Sequence, residues 1–499
     1  MRTKSESRKA SPRREAREPM SKVDTAWLRM ECPTNLMMIT GVMIFSRRVS
    51  YARLKRVLTQ RFLAFRRFRQ KAVDTGSAAY WVNDDAFSMD RHLRKISLPP
   101  GADKVALEKV VSDLASTPLD SAHPRWQFSL LNKYQGGSVV VVRIHHCYAD
   151  GLALVQVMLS LTDAAPEPSK RAKLADVWLP HEPGGVFQRL LDPARAGMAK
   201  VATLGAKVLD KGLQIVREPG LAASYAREGG EIARELVVAL SLADDPPTSF
   251  KGPLSAHKRC AWARPLPLPE VKAISKILRC TVNDVLLACA AGALRSYLAA
   301  IGESVDGTTI RATVPVNLRP HEHAVKLGNH FGLVFLDLPI GEANPLRRLE
   351  RVAESMRELK QSKQAALTFG LLAAVGMAPA ALQRMALELF SRKATTVATN
   401  VPGPQMPLYL AGHEVREMMF WVPQNGSIGM GLSILSYNGN VHFGLIADGQ
   451  RVADPDAIVQ RFAREVEKLT LITLMEDWDA EIVAADAEAT LTRFARNRR

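Results

Sequence analysis

The sequence predicts a mixed α/β protein built from two core-forming halves, on three observations. Runs rich in β-branched residues alternate with segments of helical period both before residue 165 and after residue 254. A chain of 499 residues with 47% hydrophobic content exceeds one ordinary domain and has apolar side chains enough for two cores. Between the halves the composition shifts to Pro, Lys and small residues at 164–173, to Pro and Gly at 180–185, and into a Pro/Gly loop at 244–253. The organisation expected is therefore a disordered basic tail at 1–19, an N-terminal domain at 20–170, a helical linker at 171–253, a C-terminal domain at 254–475 and a tail at 476–499.

In the first half, a short helix at 23–28 precedes a strand at 37–45. Residues 51–63 carry Leu54, Val57, Leu58 and Leu63 near helical spacing with basic residues on the other faces. A strand at 80–82 and a helix at 105–114 follow, and Trp126 beside Pro124 reads as an anchor under the next strand. That strand is Val139 to Ile144, a valine-rich run that ends on His145 and His146. Asp150 and Gly151 then read as a turn, with Gly151 permitting it, and 152–161 as a helix. In the linker, residues 186–242 read mainly as helices, amphipathic enough for membrane contact or for packing across the two halves.

The second half opens with a helix at 266–278. Thr281 or Asn283 then caps an apolar helix at 285–298. Residues 311–319 read as a strand running into a polar turn and 333–338 as a strand. Strands follow at 408–415, 432–437 and 441–447, the last two joined by Asn438-Gly439, a strong hairpin signal. A helix at 457–471 closes the half. The uncharged run 365–382, interrupted by Gly370, Gly376 and Pro379, reads as a buried or interfacial helix pair, being short and lean in Leu/Ile for a membrane span.

The net charge of +17 is concentrated: residues 1–19 carry seven Lys/Arg against three acids, and Arg47 to Lys71 carry ten against none. Such patches suit nucleic acid, anionic lipid or an acidic substrate, or are a solvated helix face. Without zinc spacing, an RNA-binding aromatic signature or a basic zipper, nucleic acid is not expected. Phe62, Phe65 and Phe68 beside the arginines point to a peripheral lipid contact if they are exposed, and to a charged helix edge if they are core. Five cysteines, Cys32, Cys147, Cys260, Cys280 and Cys289, are an odd set without metal-like spacing, so reduced thiols, a cytoplasmic setting and no metal site are expected. The tail at 1–19 has no apolar core region and reads as neither signal peptide nor anchor.

The chemistry concentrates at His145 and His146. A histidine at a strand end reaches a cleft from a rigid element, as a general base must. Adjacent strand residues face opposite ways, so one histidine is expected to work and the other to pack. Cys147 is the competing candidate as a covalent nucleophile. No Gly-x-Ser-x-Gly elbow occurs, which removes the α/β-hydrolase route.

The string His145-His146-x-x-x-Asp150-Gly151 resembles the active-site motif of the acyltransferases that include chloramphenicol acetyltransferase, the carnitine acyltransferases and peptide-synthetase condensation domains. Over roughly residues 20–470 the chain resembles the bacterial wax ester synthase/diacylglycerol acyltransferases. The resemblance implies two chloramphenicol-acetyltransferase-like domains with a channel between them. It makes His146 the base that deprotonates an acceptor hydroxyl, with acyl-CoA as substrate and no cofactor. It gives Asp150 a buried ion pair, usually with an arginine, and makes Asn283, Asp284 and Glu31 substrate-side or supporting groups. Pro124, Trp126, Asn400, Pro402 and Gly403 become structural motif positions, the last three in a turn that resembles the family's Asn-Val-Pro-Gly-Pro turn. The acceptor implied is a long-chain alcohol or diacylglycerol, and the setting a cytoplasmic enzyme on an anionic inner-membrane surface or lipid droplet. Two departures stand out: Leu36-Met37-Met38 where the family commonly has Pro-Met-His, and Arg125 where its Pro-Leu-Trp motif has Leu. The other readings are an acyltransferase of this fold with a small polar acceptor, and a lipid-binding protein with a degenerate site.

Overall fold

The computed structural model describes residues 17–167, 242–318 and 327–475, apart from 363, 366–367, 370–371, 373–379 and 425, and gives backbone alone for 361 and 380–382. The expected linker helices at 186–242, the tail at 476–499 and most of the 365–382 run lie outside these residues. Within that run, Ala365, Thr368 and Leu372 are buried.

The first half begins with β1 (Glu18–Pro19), α1 (Lys22–Arg29), β2 (Met38–Phe45) and α2 (Tyr51–Val57), which continues through a π turn at Leu58–Phe62. The hairpin β3 (Gln70–Asp74) and β4 (Ala79–Asn83) comes next, then α3 (Met89–His92), β5 (Leu93–Ser97) and α4 (Lys104–Ala115). The long hairpin β6 (Trp126–Tyr134) and β7 (Gly137–His145) leads into α5 (Gly151–Leu161) and β8 (Thr162–Asp163). The second half contains β9 (Lys258–Trp262), β10 (Leu266–Pro267), α6 (Leu268–Ile277), α7 (Val282–Ala300), β11 (Ile310–Asn317), β12 (Phe331–Leu338), α8 (Pro345–Gln361) and α9 (Ala380–Arg392). It ends with β13 (Thr396–Pro402), β14 (Tyr409–Leu410), β15 (His413–Trp421), β16 (Met430–Tyr437), β17 (Asn440–Asp448) and α10 (Pro455–Met475).

Two seven-stranded mixed sheets carry the fold. The first has the order β5-β6-β7-β2-β15-β14-β8; the second runs β10-β17-β16-β13-β11-β12, with β9 also on β17. β7 is central to the first sheet and buried at every position. Its even residues (Val140, Val142, Ile144) pack with α1 and α5, and its odd residues (Val139, Val141) with Trp262, Trp421 and Ile446. Cover on both faces explains why its sequence is a continuous apolar run instead of an alternating one.

Several expectations are corrected here. The halves do not divide at residue 254: β14 and β15 cross into the first sheet, where β15 pairs β2 with Trp421 opposite Thr40 and Met419 opposite Val42. The folded chain begins before residue 20, because Glu18 pairs with Trp81 and Pro19 with Tyr80. Asn400 and Pro402 belong to strand β13, in parallel register with Ile434 and Ser436 of β16, and the turn starts only at Gly403. There the glycine N–H donates to the Ser436 carbonyl at 2.8 Å, an approach that leaves no room for a β-carbon.

Two of the three phenylalanines of the basic stretch are core, and Phe65 is half-buried against them. Phe62 and Phe68 are fully buried, stacked at 3.9 Å, and Phe62 meets Trp126 and Phe128 edge-on. Three of the ten basic residues are tied down: Lys55 to Asp90 at 2.6 Å, Arg61 to Asp163 at 2.9 Å and Arg67 to Glu18 at 2.7 Å. Arg47, Arg48, Arg53, Arg56, Arg66 and Arg69 remain exposed. No described single helix is long and apolar enough to cross a membrane; α6 and α7 pass that test together only as a pair bent by 100°. All five cysteines are free thiols.

Candidate active site

The turn from His145 to Asp150 is held at the junction of the halves by main-chain bonds on three sides. His145 N–H donates to the Arg125 carbonyl (2.9 Å), His146 N–H to the Met37 carbonyl (2.6 Å) and Asp150 N–H to the Gly328 carbonyl (3.4 Å). Asp150 caps α5, its Oδ1 accepting from Ala153 N–H at 2.8 Å, while its Oδ2 accepts from His330 N–H at 3.0 Å. The carboxylate thus joins the catalytic-motif helix to a loop of the second half. Gly151 is the first residue of α5, its φ is not left-handed, and a β-carbon there would meet nothing within 4 Å. The turn therefore does not demand glycine at 151, contrary to the sequence reading.

The two histidines occupy different surroundings. His145, the last residue of β7, is fully buried; its Nδ1 accepts from Cys147 N–H at 3.1 Å, which places its proton on Nε2. That Nε2 stands 3.7 Å from a Glu31 carboxylate oxygen, which Arg125 grips at 2.6 Å. Arg125, the residue that departs from the family motif, is thus the partner of Glu31. Burial, then the charges of Arg125 and His146, hold the His145 pKa well below its usual value.

His146 lies past the strand end, its ring stacked on Trp27 at 4.3 Å and tilted against Phe331 at 5.6 Å. Burial pulls its pKa down to about 4, only partly opposed by the Asp150 charge and by the acceptor oxygens of its own carbonyl and of Asn329. At neutral pH the ring is uncharged with a lone pair available, the form a general base requires. Cys147 is fully buried, and burial pushes its thiol pKa well above the ordinary value, the inert form of a cysteine.

The substrate-side residues of the second half fall at the start of α7. Thr281 and Asp284 form a reciprocal capping box, with Thr281 N–H donating to Asp284 Oδ2 at 2.8 Å. The cap uses one carboxylate oxygen of Asp284, and Oδ1 is buried without a protein hydrogen bond. Asn283 accepts a hydrogen bond from the Asn400 carboxamide. Among the described residues, no hydrogen bond joins this pair to the histidines. Trp126 supports the catalytic strand as anticipated from its position: it lies opposite Ile144, donates from Nε1 to the Phe68 carbonyl at 2.8 Å, and stacks on His92 at 4.2 Å. Among the described residues no group of His, Cys, Asp and Glu is placed to hold a metal ion.

Four residues beside His146 were not singled out from sequence: Asp24, Trp27, Asn329 and Phe331. Asp24 and Trp27 stand three apart on α1, one helical turn, and a buried aspartate on an otherwise apolar face was the available signal. Nothing in the local sequence of Asn329 links it to a histidine some 180 positions earlier.

Two mixed sheets, the first completed by β14 and β15 from the second half, with His-His-x-x-x-Asp-Gly in a buried turn at the junction of the halves, have the architecture of the chloramphenicol acetyltransferase-like acyltransferases. Residues 20–286 match the family described as the wax ester synthase/diacylglycerol acyltransferase catalytic domain, and residues 327–470 match the WS/DGAT C-terminal domain. The chain belongs to this family and is an acyltransferase. Among curated proteins it is 28% identical over 415 residues to a probable diacylglycerol O-acyltransferase of Mycobacterium tuberculosis H37Rv, covering 82% of this chain and 84% of the relative. A putative diacylglycerol O-acyltransferase of the same strain is 26% identical over 484 residues, covering 92% and 91%. Among solved structures, the wax ester synthase/diacylglycerol acyltransferase of Marinobacter aquaeolei VT8 superposes with a TM-score of 0.65 at 20% identity, over 92% of this chain and all of that one. The trichothecene 15-O-acetyltransferase of Fusarium sporotrichioides gives 0.58 at 13% identity, over 91% and 94%.

Proposed function

We propose that this protein transfers a fatty acyl group from acyl-CoA to the hydroxyl of a long-chain alcohol or diacylglycerol, with His146 as general base. The observation that carries the mechanism is a buried, uncharged imidazole at the junction of the two halves of this family's fold. His146 takes the hydroxyl proton as the acceptor oxygen bonds to the thioester carbonyl carbon. The tetrahedral oxyanion then collapses, the carbon–sulfur bond breaks, and the proton passes to the departing CoA thiolate, so ester and free CoA leave in equal amounts. His145 lacks this freedom: one ring nitrogen is occupied by the Cys147 amide and the other faces Glu31. Purified protein given palmitoyl-CoA with hexadecanol or with dipalmitoylglycerol is expected to form the matching ester. Acylation of a short polar alcohol alone would replace the lipid-acceptor reading.

The proposal extends to place. A cytoplasmic enzyme meeting anionic lipid at the inner membrane or a lipid body has a surface for it in Arg47, Arg48, Arg53, Arg56, Arg66 and Arg69, which are exposed. The attraction is mainly electrostatic, since Phe62 and Phe68 are interior and Phe65 is half-buried. Each such charge near an anionic surface contributes about 1 kcal/mol. Wild type is expected to pellet with phosphatidylglycerol vesicles at low salt. A variant with Arg53, Arg56, Arg66 and Arg69 changed to Gln is expected to stay in solution; equal pelleting would remove this surface from the proposal.

A further inference from the structure

We infer that Asn329, held in place by Asp24, is the positioning residue that orients the His146 imidazole, so that α1 of the first half and a loop of the second jointly set the base. The inference rests on the reading of His146 as base and adds what fixes its tautomer. Three hydrogen bonds define the carboxamide. Asn329 Nδ2 donates to Asp24 Oδ1 at 2.8 Å and to the His146 carbonyl at 2.9 Å, and Asn329 N–H donates to the same Asp24 oxygen at 3.0 Å. Flipping the amide would set oxygen against oxygen at both Nδ2 contacts, so its orientation is determined by the network.

With Nδ2 spent, Asn329 Oδ1 is a buried acceptor that receives nothing from the protein, and His146 Nδ1 is a buried ring nitrogen without a partner of good geometry. A buried polar atom left unsatisfied costs about 1–3 kcal/mol, so two complementary orphans on touching residues favour the arrangement that pairs them. A proton on Nδ1 does so, directed at Asn329 Oδ1 and at the ring's own carbonyl. Both of these groups stabilise the protonated imidazole, as a hydrogen-bond acceptor facing a ring N–H must. The Nε2 lone pair is then left for the acceptor hydroxyl. This is the logic of nucleophile, base and orienting third group, with an amide as orienter.

The support behind Asn329 is equally buried. Asp24 is 4% exposed and Asn329 2%. Burial raises the Asp24 pKa, and hydrogen bonds from Asn329 and Ser21 and the charge of Arg67 oppose that rise. Trp27, one turn along the same helix, stacks on the imidazole face, so α1 controls the ring plane directly and its tautomer through Asn329.

The test uses the full chain as Asn329→Ala, Asp24→Ala, Asp24→Asn and His146→Ala, assayed with palmitoyl-CoA and the acceptor the wild type uses. Asn329→Ala and Asp24→Ala are expected to lose about 10- to 100-fold in kcat with KM for palmitoyl-CoA within about twofold, as for a base misplaced but present. Asp24→Asn keeps an acceptor oxygen for both Asn329 donors and is expected to recover most of kcat. The ¹⁵N spectrum of labelled histidine, with His146→Ala as assignment control, should show a Nδ1–H tautomer in wild type and a mixture in Asn329→Ala. Unchanged kcat in Asn329→Ala, or an unchanged tautomer, overturns the inference. If Asn329→Ala does not fold, the two Asp24 variants decide, and equal damage in both overturns it. Wild-type turnover by His146→Ala removes the base reading itself, whereas inactivity there beside undamaged Asp24 and Asn329 variants removes only the positioning role.

Discussion

Each sheet contains the same local device, a long hairpin followed by an aspartate-capped helix. In the first half it is β6, β7 and α5, with Asp150 as cap; in the second it is β16, β17 and α10, with Asp454 accepting from Ala457 N–H at 3.1 Å. At the end of β7 stand His145 and His146; at the end of β17 stands Asp448. The buried Asp448 carboxylate accepts from Ser255 N–H (2.6 Å), Gln450 N–H (3.0 Å) and the Lys258 ammonium (3.3 Å). In the first turn the buried His145 Nε2 and His146 Nδ1 make no hydrogen bond of good geometry, the former facing Glu31 at 3.7 Å and the latter lying beside Asn329. The second turn is built round one saturated carboxylate, and the first round two imidazoles whose buried ring nitrogens are not saturated.

The largest effect expected is in the first turn. His146→Ala should lower ester formation by about 10²- to 10⁴-fold while leaving melting behaviour close to wild type, because a positioned base is removed from a junction whose main-chain bonds stay. The pH dependence follows from the same burial. The working form is the neutral ring and its pKa lies at about 4, so kcat/KM should hold from neutral pH down to about pH 5 and fall only as pH drops through about 4. An acid limb near the ordinary histidine value would show that the ring is solvated and the contrast between the turns is wrong.

The second turn should respond in stability instead of turnover. Asp448→Ala leaves the Lys258 ammonium buried and unpaired, a change that typically costs about 3–5 kcal/mol. The denaturation midpoint should drop while kcat per folded molecule is unchanged. Asp150→Ala should lower both, since the same carboxylate caps α5 and ties His330 N–H to the catalytic turn, with cap loss alone at about 0.5–2 kcal/mol. Loss of turnover without any fall in stability at Asp150 would point to a carboxylate that meets substrate.

His145 separates the two halves of the motif. Replacing it with Ala removes the acceptor for a buried Cys147 N–H, at about 1–3 kcal/mol, and leaves His146 between Trp27 and Phe331. Measurable turnover is expected to survive, with reduced thermal stability. If His145→Ala proves the more damaging substitution to catalysis, the assignment of working and packing histidines is reversed.

The parts of this comparison that were legible in sequence are those whose cause is local. The Val139 to Ile144 run, the cap before α7 and the Asn438-Gly439 turn each announce themselves within a few residues. The site was legible where a motif is contiguous, as at His146 and Asp150, and illegible where partners arrive from afar. Asp24 and Asn329 meet across 305 positions, and β15 reaches β2 only after the chain has built most of the second sheet. Composition left Phe62 and Phe68 open between lipid contact and core. Arginines flank them in sequence, but the π turn at Leu58–Phe62 and the 3-10 turn after it face both rings inward while the basic side chains stay outside. Helical spacing alone does not foresee such a turn.

The smallest effect lies at the hairpin tips, which share a conformation but not a sequence. Asn438 and Gly439 have φ of 49° and 73°, and Gln135 and Gly136 have 47° and 82°. Both are two-residue loops with successive left-handed residues, since Tyr134 pairs with Gly137 and Tyr437 with Asn440. Asparagine visits that region at small cost because its short amide bonds locally to the backbone, whereas glutamine bears the ordinary penalty of an L-residue. The missed turn was therefore the one with the poorer residue. Gln135→Asn is expected to raise stability by about 0.5–1 kcal/mol and Asn438→Gln to lower it by a similar amount, with no change in kcat for either. Equal denaturation midpoints across wild type and both variants would mean that the strands set these loops and the tip residues follow.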